Sequence, residues 1–161
     1  MEQDQLKTVL DILKTIKELE LAAAEFYRTC AEIWIIEKDF WMSMEESERK
    51  HAQHIDRMIK ISSEKPEKFK LGRSFKRPAV ETFISGVKSN IQRLRSRTLL
   101  KDRVLFIARD IEESMLESRY MEIIRTDEPD FQSLLKQILS DTVTHKEWLN
   151  EKIRQSHPNS G

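Results

Sequence analysis

The sequence is short of the residues that interrupt helices and of those that cross-link chains. Its 161 residues include 3 glycines and 4 prolines, too few for an all-β chain, which needs a turn about every ten residues, or for an alternating α/β chain. A single cysteine, Cys30, excludes an internal disulfide and any paired-cysteine metal knuckle, and suits a reduced, cytoplasmic protein. No apolar run approaches the roughly 18 residues needed to span a bilayer. The N-terminal MEQDQLK is polar and acidic, without signal-peptide character. With 28 basic and 28 acidic residues the formal charge is zero, so no global field draws the chain to nucleic acid or membrane, and neither is expected as a partner. A charged fraction of 35% beside 39% hydrophobic is the balance of one domain of long helices with solvated outer faces.

A 3-4 spacing runs through Leu6, Val9, Leu13, Ile16, Glu20, Ala23, Tyr27, Cys30 and Trp34. It predicts a first helix whose buried seam holds one acid. After a break at Glu37-Lys38-Asp39, a second seam reads Trp41, Met44, Glu48, His51, Ile55 and Met58. Residues 60 to 103 change character, with 13 Lys or Arg against 4 Asp or Glu, and with Pro66, Gly72 and Pro78 as breaks. The pattern predicts a loop over about 62–78 and a short amphipathic helix over about 79–96. The aromatics there, Phe69, Phe75 and Phe83, are too sparse for a base-stacking surface, and the segment reads as a solvated basic linker. Thr98 is a plausible N-cap for a helix running to about 126. The turn Asp127-Glu128-Pro129 closes that helix, and a last one spans about 130–154 with Leu134, Ile138, His145 and Leu149 on one face. The tail at 157–161, HPNSG, has no periodicity and is expected to be disordered. The plan over residues 1–156 is all-α: two antiparallel helix hairpins joined by a long crossover that contains a short helix, a four-helix bundle with one long connection.

The polar residues inside the seams point to chemistry. Burying an ionised carboxylate alone costs several kcal/mol, so a seam acid implies a cation, a hydrogen-bond network or a shifted pKa. In the run ESERKHAQH, Glu48 and His51 project from adjacent turns of one helix face, where a carboxylate oxygen and an imidazole nitrogen can reach a common point about 2 Å from each. Glu20 faces them from the first seam. On the third helix Glu112 flanks the stripe of Val104, Ala108, Ile111 and Met115, whereas Glu113 points away, so Glu112 is the better ligand. On the fourth, His145 lies in the apolar stripe, but the residue three before it is Thr142. Asp141, about 40° from His145 around the helix axis, is the carboxylate placed to substitute. His54 reads as an edge residue, His157 as part of the tail, and Cys30 as core. Carboxylate and imidazole donors of this kind suit iron or manganese, singly or as a mixed pair.

The run ELAAAEFYRTCAE, with Glu20 seven residues before Tyr27, followed by Glu48-Arg-Lys-His51, resembles the rubrerythrin branch of the ferritin-like superfamily. The later IARDIEESMLESRY, with Glu112 eight residues before Tyr120, and His145 near the end extend the resemblance over about residues 10–155. It implies a ferritin-like bundle around a di-iron centre with Glu20, Glu48, His51, Glu112 and His145 as ligands, and Tyr27 and Tyr120 as donors to the carboxylates. It also implies reduction of hydrogen peroxide. The chain departs from the pattern twice. DTVTH stands where a second E-x-x-H is expected, and there is no rubredoxin-like module with paired cysteines, so the electrons would come from a separate donor protein.

Two other readings fit the same residues: an iron-binding or iron-storing protein with little turnover, and a metal-free helical interaction protein whose interior polar groups pair with one another. The first helix also carries Leu10, Ile12, Leu19, Leu21, Phe26 and Ile33 outside its seam, and the corner IWIIEKDFW is apolar nearly all round. One bundle core does not cover that arc; the crossover helix is expected to cover part of it and a homodimer the rest.

Overall fold

A computed structural model describes the backbone of residues 2–117 and 120–156. The expected tail at 157–161, with His157, and the side chain of Tyr120 lie outside the described residues. The architecture is all-helical apart from one two-stranded ribbon. Helix α1 (Glu2–Ile33) turns through a short 3-10 segment (Ile35–Glu37) into α2 (Lys38–Glu64). A second 3-10 turn (Pro66–Lys68) leads to β1 (Phe69–Leu71) and then to α3 (Arg77–Arg95). Helix α4 (Lys101–Glu117) is followed by the one-turn α5 (Tyr120–Ile123), by β2 (Ile124–Thr126) and by α6 (Pro129–Ser156). Both α3 and α6 begin with proline in the first turn, where its fixed φ fits the helix and its missing N–H is not needed.

Side-chain pairs give the helix directions. Between α1 and α2, Lys17 meets Asp56, Glu20 meets His51 and Arg28 meets Glu45, an antiparallel register. Between α4 and α6, Glu112 meets His145 and Glu113 meets Lys146, again antiparallel. Between α2 and α6, Glu48 meets His145 and His51 meets Asp141, antiparallel as well. Helices α2 and α4 therefore run the same way, and the chain must return along the bundle between them. Helix α3 makes that return along α1, with Arg77 near Asp11 at one end and Arg95 bonded to Glu25 at the other. Among the described residues no helix is long and apolar enough to cross a membrane.

Two apolar cores form. One, nearer the α1–α2 turn, packs Phe26, Tyr27, Trp41 and Met44 against α3, α4 and Leu149 of α6. The other packs Leu13, Ile16, Ile55 and Met58 against Phe131 and Ile138 of α6. The buried apolar residues of α4 all belong to the first core. In the second, the side that α4 does not reach is filled by Phe69, Ile123 and Ile124.

Two expectations are corrected. Residues 62–78 are not one loop: α2 continues to Glu64, and 69–71 form a strand antiparallel to 124–126, with Phe69 opposite Thr126 and Leu71 opposite Ile124. The third long helix does not run from Thr98 to 126. Its first residue is Lys101, and the Thr98 hydroxyl donates to the Arg93 carbonyl, closing the end of α3 rather than capping α4. The stretch Ile123-Ile124-Arg125-Thr126 is rich in β-branched side chains, which favour extended backbone once a partner strand is present. Part of the apolar arc of α1 is taken up as expected by the crossover helix, with Leu19 and Phe26 packed in one core with α3 residues, while Ile12 belongs to the second core. Exposed apolar surface concentrates at the turn, where Ile36 is fully exposed and Ile35 and Leu100 are each 75% exposed.

The ribbon demands glycine at one point. The Gly72 N–H donates to the Ile123 carbonyl (2.8 Å) and the Arg73 N–H to the Glu122 carbonyl (2.7 Å), and a Cβ on Gly72 would run into the Glu122 carbonyl oxygen and the Arg125 side chain. Gly72→Ala should therefore destabilise the fold by about 1–3 kcal/mol, the usual scale of overpacking. The measurement is thermal unfolding followed by circular dichroism, and an unchanged midpoint would mean that the ribbon shifts freely.

Candidate metal centre

The 3-4 seams of α1 and α2 face each other in the antiparallel register described above, and that register places Glu20 level with Glu48 and His51. The same geometry on the other side places Glu112 of α4 level with His145 of α6. All five side chains are buried, four of them with no exposed surface and His145 at 3%. They form two triads, Glu20–Glu48–His51 and Glu48–Glu112–His145, in each of which the donor atoms lie within 4.8 Å of one another. Glu48 belongs to both. The two imidazole rings stand 6.1 Å apart, 29° from parallel.

Both imidazoles present Nδ1 to the carboxylates. His51 Nδ1 lies 3.3 Å from Glu20 Oε2 and 3.4 Å from Glu48 Oε2. His145 Nδ1 lies 3.0 Å from Glu48 Oε1 and 3.4 Å from Glu112 Oε1. The Tyr27 hydroxyl donates to Glu112 Oε1 at 2.7 Å, and its ring is stacked on Trp41, 5.8 Å between centroids. One oxygen of each glutamate, Glu20 Oε1, Glu48 Oε2 and Glu112 Oε2, is buried without a hydrogen-bond partner among the described residues. Leaving even one buried carboxylate oxygen unsatisfied is costly, and these three lie in a group of side chains that could hold a cation.

The electrostatics agree. Glu20 is pushed well above the carboxylate range, first by burial and then by the charge of Glu48. Burial alone would depress the histidines. The hydrogen-bonding carboxylates Glu20 and Glu48 outweigh it at His51, raising it to about 11, and Glu112 and Glu48 outweigh it at His145, raising it to about 9. Tyr27 is raised by burial and then by Glu112, so it stays a hydroxyl donor.

Glu113 is half-buried and pairs with Lys146 at 3.5 Å, away from the triads. Asp141 turns to His51 of α2 rather than pairing with His145. Its Oδ2 lies 2.9 Å from Nε2 of His51, the ring nitrogen that faces away from the carboxylates, and Gln137 donates to its Oδ1 at 3.0 Å. The angular argument from the sequence correctly turned Asp141 toward the bundle. The nearest imidazole there, however, belongs to α2, because α2 and α6 are neighbours. An imidazole whose outer nitrogen is held by a carboxylate is fixed in tautomer and orientation, the arrangement by which proteins aim a histidine at a metal. Thr142 is buried, and its hydroxyl donates to the Ile138 carbonyl, so it offers the centre no anion.

Three contributors were not read from the sequence. Trp41 backs Tyr27, Gln137 holds Asp141, and Trp148 lies against His145 with ring centroids 5.7 Å apart. The last two were within reach, since Gln137–Asp141 is an i,i+4 pair and His145–Trp148 an i,i+3 pair. His54 is half-buried at the edge of this region, and its pKa is lowered by burial and by His51. Cys30 is buried, and burial leaves its thiol inert.

The chain matches no protein-family model, and comparisons with curated proteins and with solved structures returned no match.

Two outcomes follow from this geometry. Asp141→Ala should weaken metal binding roughly 10–100-fold while leaving the number of bound ions unchanged, as for other carboxylates that orient a ligand. Equilibrium titration measures both quantities, and loss of a bound ion would make Asp141 a ligand. The second outcome concerns protons. Below pH 9 both imidazoles are protonated in the metal-free protein, so a cation must displace both. Binding at neutral pH should release at least two protons, one per imidazole, with a further contribution from the raised Glu20 carboxyl, and should tighten as pH rises. Calorimetry in buffers of different ionisation heat counts them, and binding without proton release would show that the imidazoles do not meet the ion.

Proposed function

We propose that the protein is a ferritin-like, rubrerythrin-like dinuclear metal protein that holds two iron ions and reduces hydrogen peroxide with electrons from a separate donor. The same donor set suits manganese or a mixed pair. The observation that carries the reading is the buried pair of triads sharing Glu48, with three carboxylate oxygens that have no hydrogen-bond partner among the described residues. Its setting supports it: two antiparallel helix pairs joined by a crossover that returns along the bundle are the arrangement in which inward-facing Glu and Glu-x-x-His side chains hold two metals.

Glu20, Glu48, His51, Glu112 and His145 would hold two redox-active cations, which would supply the two electrons that cleavage of a peroxide O–O bond consumes. The side chains would do the rest. Glu48 belongs to both triads and would serve both positions. Asp141 fixes His51, and the Tyr27 hydroxyl fixes Glu112. The apolar cores on either side of the layer keep bulk water from the carboxylates, which strengthens their hold on a cation. The one cysteine, Cys30, is buried in the core, so the electrons come from a centre other than a cysteine pair of this chain.

Metal analysis after anaerobic loading with ferrous iron should find about two ions per chain, the number the two triads accommodate. Glu48→Gln and His51→Gln should each lower that number while far-ultraviolet circular dichroism stays the same, because side-chain volume is nearly kept. Stopped-flow oxidation of the loaded protein should be faster with hydrogen peroxide than with oxygen. Oxygen-driven oxidation with growing mineral load would make this a storage protein instead. Failure to bind any transition metal would leave the layer as a metal-free polar network and sink the proposal.

A further inference from the structure

Two loops meet at one end of the bundle. The turn from α1 to α2 and the loop from α3 to α4 are joined there by Lys101 Nζ on Glu37 Oε1 at 2.9 Å. Each loop sends one apolar side chain inward and the next outward. Trp34 packs on the first core, and Ile35 and Ile36 after it are 75% and fully exposed. Leu99 is buried in the same core, and Leu100 after it is 75% exposed. Among the described residues, the other exposed large apolar side chains, such as Leu21 and Val143, are each less than half exposed and lie apart from these loops. Single apolar residues at a surface need no explanation, whereas three fully projecting aliphatic side chains at one place mark a contact surface.

The loops hold these side chains in a fixed arrangement. Ile35–Glu37 is a 3-10 turn in which the Glu37 N–H donates to the Trp34 carbonyl at 3.1 Å. In the other loop the N–H and the hydroxyl of Thr98 both donate to the Arg93 carbonyl, and Arg97 takes a left-handed φ of 60°, which a residue with a Cβ rarely adopts. A surface set in advance loses little freedom when it is covered. The residues that follow Ser156, HPNSG, hold no Leu, Ile, Val, Met or Phe to lay over it. Its charges indicate what does. Lys38 stands beside Asp39 on one loop, and Asp102 stands between Lys101 and Arg103 on the other; over residues 37–39 and 97–103 there are four bases and three acids. So even a balance does not select an anionic membrane or a strongly acidic partner. Across a two-fold axis such a surface can be its own complement, because the bases of one copy can meet the acids of the other.

We propose that this end of the bundle is an interface between two copies of the chain, joined end to end about a two-fold axis through the tips formed by Ile35, Ile36 and Leu100. The inference does not depend on the metal reading and holds for the metal-free protein as well. Two loop tips make a smaller contact than the interface of a permanent dimer, so the association is reversible and belongs to the micromolar range.

Analytical ultracentrifugation of the full chain across micromolar concentrations tests this. A reversible monomer–dimer equilibrium is expected. Ile36→Asp should raise the dissociation constant roughly a hundredfold or more, because each dimer loses two buried isoleucines. Its far-ultraviolet circular dichroism should match the parent's, since Ile36 touches no core. Leu100→Asp on the second loop should act in the same direction. Val143→Asp, at an exposed position on α6, should leave the equilibrium as it is. A monomer at every concentration would overturn the inference. So would a dimer that Val143→Asp breaks and Ile36→Asp does not, which would place the contact along the helices. Flotation of the monomer with vesicles of anionic phospholipid, lost in Ile36→Asp, would assign the tips to a membrane surface and overturn it too.

Discussion

Everything in this bundle is arranged around the cost of placing three glutamates at one level in a protein interior. Glu20, Glu48 and Glu112 have no exposed surface, and each ion taken from water into such a site carries a penalty of several kcal/mol unless it is paired and hydrogen-bonded. The neighbours answer that cost in kind. Two imidazoles turn Nδ1 inward, a phenol donates to Glu112, and an aspartate tethers His51 from behind. The apolar cores above and below lock the backbone at the spacing the layer needs. Three oxygens nevertheless keep no hydrogen-bond partner among the described residues, and a cation could satisfy them together.

Much of this layer could be read from spacing alone, because it lies on long uninterrupted helices. The 3-4 pattern of α1 and α2 places Glu20, Glu48 and His51 on facing seams, and a hairpin this tight has essentially one antiparallel register. The stripe on α4 separates Glu112 from Glu113 by the same logic. What spacing does not contain is which helices are neighbours. Asp141 and His145 leave α6 on nearly the same face, and only the packing of α6 on α2 decides that Asp141 meets His51. The β-ribbon was hidden for a related reason. Three-residue strands carry no periodicity, and Phe69–Leu71 becomes a strand only because Ile124–Thr126, far along the chain, lies beside it.

The partition of labour within the crossover is also physical. Its basic residues stay at the surface, while its apolar ones do two jobs. Ile84, Val87, Ile91 and Leu94 cover the outer face of α1, which an ordinary four-helix arrangement would leave wet, and Phe69 seals the second core against Phe131 at 5.0 Å. The net neutrality of the chain thus conceals a local excess of positive charge on the segment that wraps the bundle.

Because α4 ends at Glu117, the second core is closed on one side by strands rather than by a helix. The ribbon is held by a few backbone hydrogen bonds close to solvent, whereas the layer of glutamates and histidines is carried by long helices. The molecule therefore has two levels of local stability. Detaching the ribbon bares Phe69, Ile123 and Ile124 without disturbing α1 against α2, so its amides exchange with solvent through small openings of the native state, and those at the level of Glu48 exchange only when the whole bundle comes apart.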